Sequence, residues 1–277
     1  MSSQPPTKQD FLIDNPWQSL RRHTDARIGL GRSGVSLPTD AHLSFQLAHA
    51  RARDAVHIPL AIDQLEKAIR AFSPVDIWSL KSRTADRATY LQRPDLGRLL
   101  SRESEQFLRQ HSLAEGFDIA VVIVDGLSST AVQHHAPPML EHLLSAIHPL
   151  GYRCAPICLV TQGRVAVGDP IGELLNARLL VMMIGERPGL SSPDSLGIYF
   201  TWQPQSGKTD AQRNCISNIR HEGLSYEEAT HKLMYLMQEA DRRQLSGVYL
   251  KDETDAGEAS LPGREKTGNL LINRHKD

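Results

Sequence analysis

The sequence predicts an α/β protein: a Rossmann-like, mainly parallel sheet in the C-terminal domain, preceded by a helical, arginine-rich N-terminal region. Three observations predict it. Phe117 to Asp125 and Leu179 to Ile184 are nearly continuous apolar runs, too short to span a membrane. They read as strands covered on both faces. Segments of helical period separate the strand runs, as in crossover-connected parallel sheets. Each run ends in a glycine-bearing turn: Gly126-Leu127-Ser128-Ser129, Thr161-Gln162-Gly163-Arg164 and Gly185-Glu186-Arg187-Pro188-Gly189. The last of them, with Pro188, is rigid and incompatible with a helix.

Residues 1–14 read as a flexible tail. Residues 15–115 form the helical region. Asn15-Pro16-Trp17 starts it, with Asn as the cap and Pro at the first helical position. Thr39 or Asp40 caps a helix carrying Leu43, Leu47, Ala50 and Ala55, with Arg51 and Arg53 on its other side. Ile58 to Phe72 repeats the pattern through Leu65 and Ile69. Arg98 to His111 is a third helix, stopped by Gly116. Residues 116–251 form the sheet domain. The strand Phe117–Asp125 leads into a helix through Met139, Leu143 and Ile147. Tyr152–Val160 is the second strand, followed by a short helix around Ile171 to Asn176. Leu179–Ile184 is the third and Leu196–Trp202 the fourth. This order indicates right-handed crossovers. Ser225 with Glu228 forms a capping box for a last helix reaching Leu245. Residues 252–277 read as a polar tail.

Composition bounds the function. The chain has 277 residues, 40% of them hydrophobic and 23% charged, with net charge -1. That is a globular balance without the basic excess of a nucleic-acid binder. No apolar run is long enough to span a bilayer, and the start does not read as a signal peptide. Three cysteines do not make a disulfide framework. Cys154 and Cys158, both placed on the second strand, would stand ~13 Å apart, beyond the reach of one bridge. The expected compartment is the cytosol, with no membrane partner.

Several motifs invite an assignment. Gly29-Leu30-Gly31-Arg32-Ser33-Gly34 matches a dinucleotide fingerprint by letter. It lacks the preceding strand and following helix that the mechanism needs, and reads better as a glycine-hinged basic loop that meets a partner. Gly207-Lys208-Thr209 lacks the first glycine of a phosphate loop. Ser128 and Ser129 lack the spacing of a nucleophile elbow and serve as helix caps. His134-His135 point to different sides of a helix and read as a solvated helix start. Taken singly, Cys215 reads as an inert core thiol, Glu186 as a surface carboxylate and Val165 as an apolar loop residue. The position of Glu186 is suggestive, because loops beyond the carboxyl ends of strands line the ligand crevice of such sheets.

Together the motifs are specific. Asn15-Pro16-Trp17, Thr24 to Arg32, Leu37-Pro38-Thr39 and Leu47 to His57 closely resemble the light chain of ethanolamine ammonia-lyase. Asp125-Gly126-Leu127-Ser128, Gly163 to Asp169, Gly185 to Gly189 and Cys215 to Ile219 agree in the same order. The resemblance covers about residues 15–250. It implies the small subunit of an adenosylcobalamin enzyme that converts ethanolamine to acetaldehyde and ammonia by a radical mechanism. It implies a hetero-oligomer in which a separate large subunit holds the substrate in a barrel. The light chain would form one wall of the cobalamin site and carry no catalytic side chain. The family's cofactor-binding positions fall on Val165, Glu186 and Cys215. Valine suits the apolar corrin face, a carboxylate its rim of amides, and cysteine a polarizable contact.

The resemblance also implies a base-on cofactor, with its dimethylbenzimidazole kept on cobalt. A protein ligand of the D-x-H-x-x-G type would need a carboxylate two residues before His148, and Ala146 stands there. No histidine is therefore expected to bind metal. Residues 1–14 carry two prolines and little apolar stripe. They depart from the amphipathic extension of family members that enter bacterial microcompartments, so encapsulation stays open. Two other classes compete. A nicotinamide enzyme would need its glycine loop after the first strand. A pure interaction or scaffold subunit would bind the large subunit equally well without cofactor.

Overall fold

The computed structural model describes residues 12–254. The tails expected at 1–14 and 252–277 fall largely outside them. An N-terminal arm comes first: β1 (Leu12–Ile13) pairs antiparallel with β2 (Arg32–Ser33), with a 3₁₀ helix over Pro16–His23 between them. The Asn15 side chain caps that helix by accepting from the Trp17 amide at 2.9 Å. Then follow α1 (Thr39–His57), α2 (Ile62–Arg70), β3 (Ile77–Lys81), α3 (Arg87–Gln92), α4 (Pro94–Gly97) and α5 (Arg102–His111). The sheet core is β4 (Phe117–Val124), α6 (Ser129–Ile147), β5 (Ile157–Thr161), α7 (Gly168–Leu174), β6 (Ala177–Gly185), β7 (Leu196–Trp202) and β8 (Asn214–Ile219). The last helix is α8 (Tyr226–Arg243).

Six strands form one sheet in the order β3-β5-β4-β6-β7-β8. The pairings from β3 to β6 are parallel, and β7 and β8 are antiparallel. The fold is therefore mixed α/β, with a sheet that is parallel across four of its six strands and antiparallel at β7 and β8. Three expectations need correction. Residues 186–195 link β6 to β7 without a helix, whereas a parallel return needs a crossover of about a dozen residues or more. The fourth strand therefore runs back antiparallel. β3 lies in a stretch expected to be helical, where Pro74 and the short Ile77-Trp78-Ser79-Leu80-Lys81 run make an edge strand. Of the two paired cysteines only Cys158 is on β5. Cys154 precedes the strand, and both thiols are free.

Alternation along β4 divides the core between two faces. Ile119, Val121 and Ile123 pack with Leu65, Ile69, Met139, Leu143 and Leu233 on the side of α2, α6 and α8. Ala120, Val122 and Val124 pack with Leu108, Ile171 and Leu175 on the side of α5 and α7. The chain leaves β4 for β5 on one side and comes back to β6 on the other. β4 is thus the point where strand order reverses, the position at which open α/β sheets form a crevice. α8 begins on the predicted capping box, in which Ser225 Oγ accepts from the Glu228 amide and the Glu228 carboxylate accepts from the Ser225 amide.

Candidate functional site

A crevice of about 350 Å³ opens beyond the carboxyl ends of β4, β5 and β6. Val165, Glu186, Tyr90, Arg164, Arg187 and Tyr199 are among its lining residues. A larger hollow, about 830 Å³, lies between the β3 edge and the start of α5. We assign the site to the smaller one, because it alone sits at the strand-order reversal and joins the loops after three parallel strands.

The first and third of these loops touch backbone to backbone. Gly126 adopts φ +58°, and a Cβ there would stand 2.2 Å from the Gly185 carbonyl oxygen. A Cβ on Gly185 would meet the Ser128 carbonyl oxygen at 2.0 Å. The Leu127 amide donates to the Gly185 carbonyl at 2.9 Å. Glycine is required on both sides of this approach, which explains why the motifs Asp125–Ser128 and Gly185–Gly189 both carry it. Ser128 caps α6 by accepting from the Ala131 amide, and donates its hydroxyl to the Pro193 carbonyl at 2.9 Å.

Asp125 fastens the second loop to the first. Its Oδ1 accepts from the Gly163 amide at 3.2 Å, and its Oδ2 lies 3.4 Å from Arg87 Nη1. Burial pushes this carboxyl up to about 6, and the Arg87 charge opposes the shift. Arg87 also donates to the carbonyls of Gly126 and Val56 at 2.9 and 2.7 Å. Tyr90 is fully buried beneath the crevice, with its hydroxyl on the Gly163 carbonyl at 3.1 Å. The guanidiniums of Arg164 and Arg87 stand 4.2 and 4.6 Å from its ring centroid. Further down, Asp169 and Arg213 form a buried ion pair at 2.6 Å that locks α7 to the start of β8. Burial pushes Asp169 up to about 6 against the pull of Arg213. The motif Gly163–Asp169 is thus held at both ends.

Glu186 leaves β6 half-buried. Its Oε2 accepts from the Ser195 hydroxyl at 2.5 Å and from the Asn218 amide at 3.3 Å. Its Oε1 lies 2.9 Å from where a Cβ on Gly197 would stand, and accepts no hydrogen bond among the described residues. One carboxylate oxygen is therefore fixed and the other is available. Val165 opens a 3₁₀ turn (Val165–Val167) and presents a half-buried apolar surface. Cys215 lies on the edge strand opposite Tyr199, which itself lines the crevice. Cys215 is exposed rather than a core residue; desolvation of its sulfur raises the thiol pKa, a Tyr199 hydrogen bond lowers it and the Glu186 charge raises it. Burial likewise pushes Tyr199 up to about 12.

The structure thus brings Val165 and Glu186 into one crevice and sets Cys215 at its flank, one cross-strand neighbour away. An apolar contact, a free carboxylate oxygen and a neutral thiol fit a large ligand with an apolar face and a rim of amide donors. The crevice is of a size that encloses drug-like molecules, so it could supply only one wall for a corrin nucleotide. Sequence reasoning missed Tyr90, Arg87 and Tyr199. Tyr90 and Arg87 come from α3, which carries no strong periodic signal.

The histidines need one correction. His134 is exposed, but His135 is buried, with Nδ1 2.7 Å from the Tyr226 hydroxyl. Its Nε2 lies 3.4 Å from Asp194 without hydrogen-bond geometry. It is a core histidine, not part of a solvated helix start. His148 follows the last residue of α6, a helix of 19 residues that begins at the crevice. At 1.5 Å per residue this places His148 roughly 28 Å away. No cluster of metal-ligating side chains occurs among the described residues, and none of their helices is long and apolar enough to cross a membrane. Gly29, Gly31 and Gly34 all have positive φ and lie in the arm around β2, not between a strand and a helix.

The chain is similar in sequence to known proteins. The family model for ethanolamine ammonia-lyase light chain matches residues 14–251. The small subunit of ethanolamine ammonia-lyase from Azotobacter vinelandii is 59% identical over 261 residues, covering 94% of this chain and 96% of the relative. That from Pseudomonas fluorescens SBW25 is 55% identical over 278 residues, covering 99% of each. A Pseudomonas aeruginosa small subunit (strain LESB58) is 55% identical, covering 96% of this chain and 97% of the relative.

Proposed function

The chain belongs to the ethanolamine ammonia-lyase light-chain family, and from this premise we propose that its crevice is one wall of an adenosylcobalamin site shared with the large subunit. The observation that carries the reading is Glu186, a lining residue of the crevice: one oxygen is held by Ser195 and Asn218, and the other accepts no hydrogen bond among the described residues. In this reading Glu186 accepts hydrogen bonds from corrin amides, Val165 packs on the ring, and Cys215 supports the flank as a neutral thiol. When bound, the cofactor supplies the radical that starts conversion of ethanolamine to acetaldehyde and ammonia. The protein chains bind, orient and exclude competing reactions, with substrate held by the large subunit's barrel and the assembly in the cytosol.

Glu186→Ala in the assembled enzyme tests the reading. Cofactor affinity should fall by about 1.5–3 kcal/mol, the range for hydrogen bonds to a charged group. Unchanged affinity in a folded complex would count against it. A scaffold subunit without cofactor contact would give that result.

The same proposal has the cofactor bound base-on. Its support is the distance of His148 from the crevice and the enclosure of His135 by Tyr226. Electron paramagnetic resonance of the cobalt(II) form checks it, with nitrogen-15 confined to this chain. The nitrogen splitting should be indifferent to the label; a change would put a histidine of this chain on cobalt.

A further inference from the structure

The crevice carries more positive charge than its own carboxylates answer. Arg87 pairs with Asp125, but Arg164 and Arg187, both lining the crevice, have no carboxylate partner among the described residues. Arg164 is also held in place. Its guanidinium rests 4.2 Å from the Tyr90 ring centroid, its Nη2 donates to the Tyr90 carbonyl at 3.3 Å, and its Nε is buried with no hydrogen-bond partner. A guanidinium pinned on an aromatic ring is pre-organised for a phosphate.

The proposed function says which phosphate. If substrate lies in the large subunit, the adenosyl face of the cofactor points that way, and the opposite face meets this chain. That face carries the nucleotide loop, with an anionic phosphodiester. We propose that Arg164, with Arg187 on the same crevice, binds the phosphodiester of the cofactor's nucleotide loop, while Glu186 accepts from the neutral amide rim. The inference rests on the reading of the crevice as the cofactor wall. It divides the crevice into a donor subsite for an anion and an acceptor subsite for amides.

The test uses the assembled enzyme and three corrinoids, titrated by absorbance: adenosylcobalamin, adenosylcobinamide phosphate and adenosylcobinamide, which lacks any phosphate. Arg164→Gln should weaken the two phosphate-bearing ligands by about tenfold or more, as expected for losing a charge-assisted hydrogen bond, and leave adenosylcobinamide essentially unchanged. Arg164→Lys should restore part of the loss, because it keeps the charge without the fork. Comparing ligands within one variant cancels any effect of the substitution on folding. An equal loss for all three, or no loss for any, would overturn the assignment. Glu186→Ala separates the two claims. If it weakens all three corrinoids alike while Arg164→Gln does not discriminate, only the anion subsite falls. If neither variant alters any titration, the wall reading falls with it.

Discussion

Deleting residues 1–34 is expected to abolish co-purification of this chain with the large subunit while leaving the sheet folded. No residue from 12 to 54 is buried. Trp17 is 66% exposed and Val35 fully so, and Leu12, Ile13, Leu20 and Leu37 are each above 40%. α1 extends the same property, with Leu43 and Leu47 outward and Ala55 its one buried residue. An ordered segment that fully buries no residue in its own chain gains little to offset its ordering entropy. A partner surface supplies the difference, and an exposed tryptophan followed one turn later by Arg21 and Arg22 suits the anchor of such a surface. Arg27 donates to the Leu190 carbonyl at 3.4 Å, in the loop that also carries Glu186. A partner gripping the arm would therefore stand beside the crevice. Tagged full-length and truncated chains, co-expressed with the large subunit, give the answer. Full-yield recovery of the truncated complex would show that the sheet domain alone carries the interface.

The purified chain, given adenosylcobalamin and ethanolamine but no large subunit, should produce no acetaldehyde. The crevice holds ionisable groups, yet none of its acids or thiols is paired with a base. Asp125 is paired with Arg87 and bonded to the Gly163 amide. Tyr199 is pushed up to about 12, and the Cys215 thiol is also raised, so both stay protonated near neutral pH. Glu186 is bonded through Ser195 and Asn218. None forms the nucleophile–base pair that covalent catalysis needs. Acetaldehyde from this chain alone would refute the division of labour; its appearance only on adding the large subunit is the expected result.

Much of the site was legible because strand ends are legible. β4 and β6 declare themselves by unbroken apolar runs, and a residue just past such a run must face the crevice side. That placed Glu186 from sequence, and Val165 after β5 by the same reasoning. α6 and α8 were legible from their caps at Ser128 and Ser225. What failed was whatever lacked a periodic signal or depended on distant contacts. β3 is a short edge strand with mostly half-exposed residues, and β8 is irregular, with a register shift opposite Leu196–Ile198. Tyr90 reaches Gly163 across 73 positions of sequence, and nothing local announces that contact. His135 was misread because its partner, Tyr226, lies on another helix.

On the proposed reading, the loops after β5 and β6 face adenosylcobalamin. Amide hydrogen exchange of the assembled enzyme, with and without adenosylcobalamin, tests it most directly. Binding should slow exchange across residues 162–167 and 186–195, and leave the opposite end of the sheet, around 148–154 and 203–207, unchanged. Unchanged exchange in the two crevice loops, in a complex shown by absorbance to hold the cofactor, would mean that neither loop faces it.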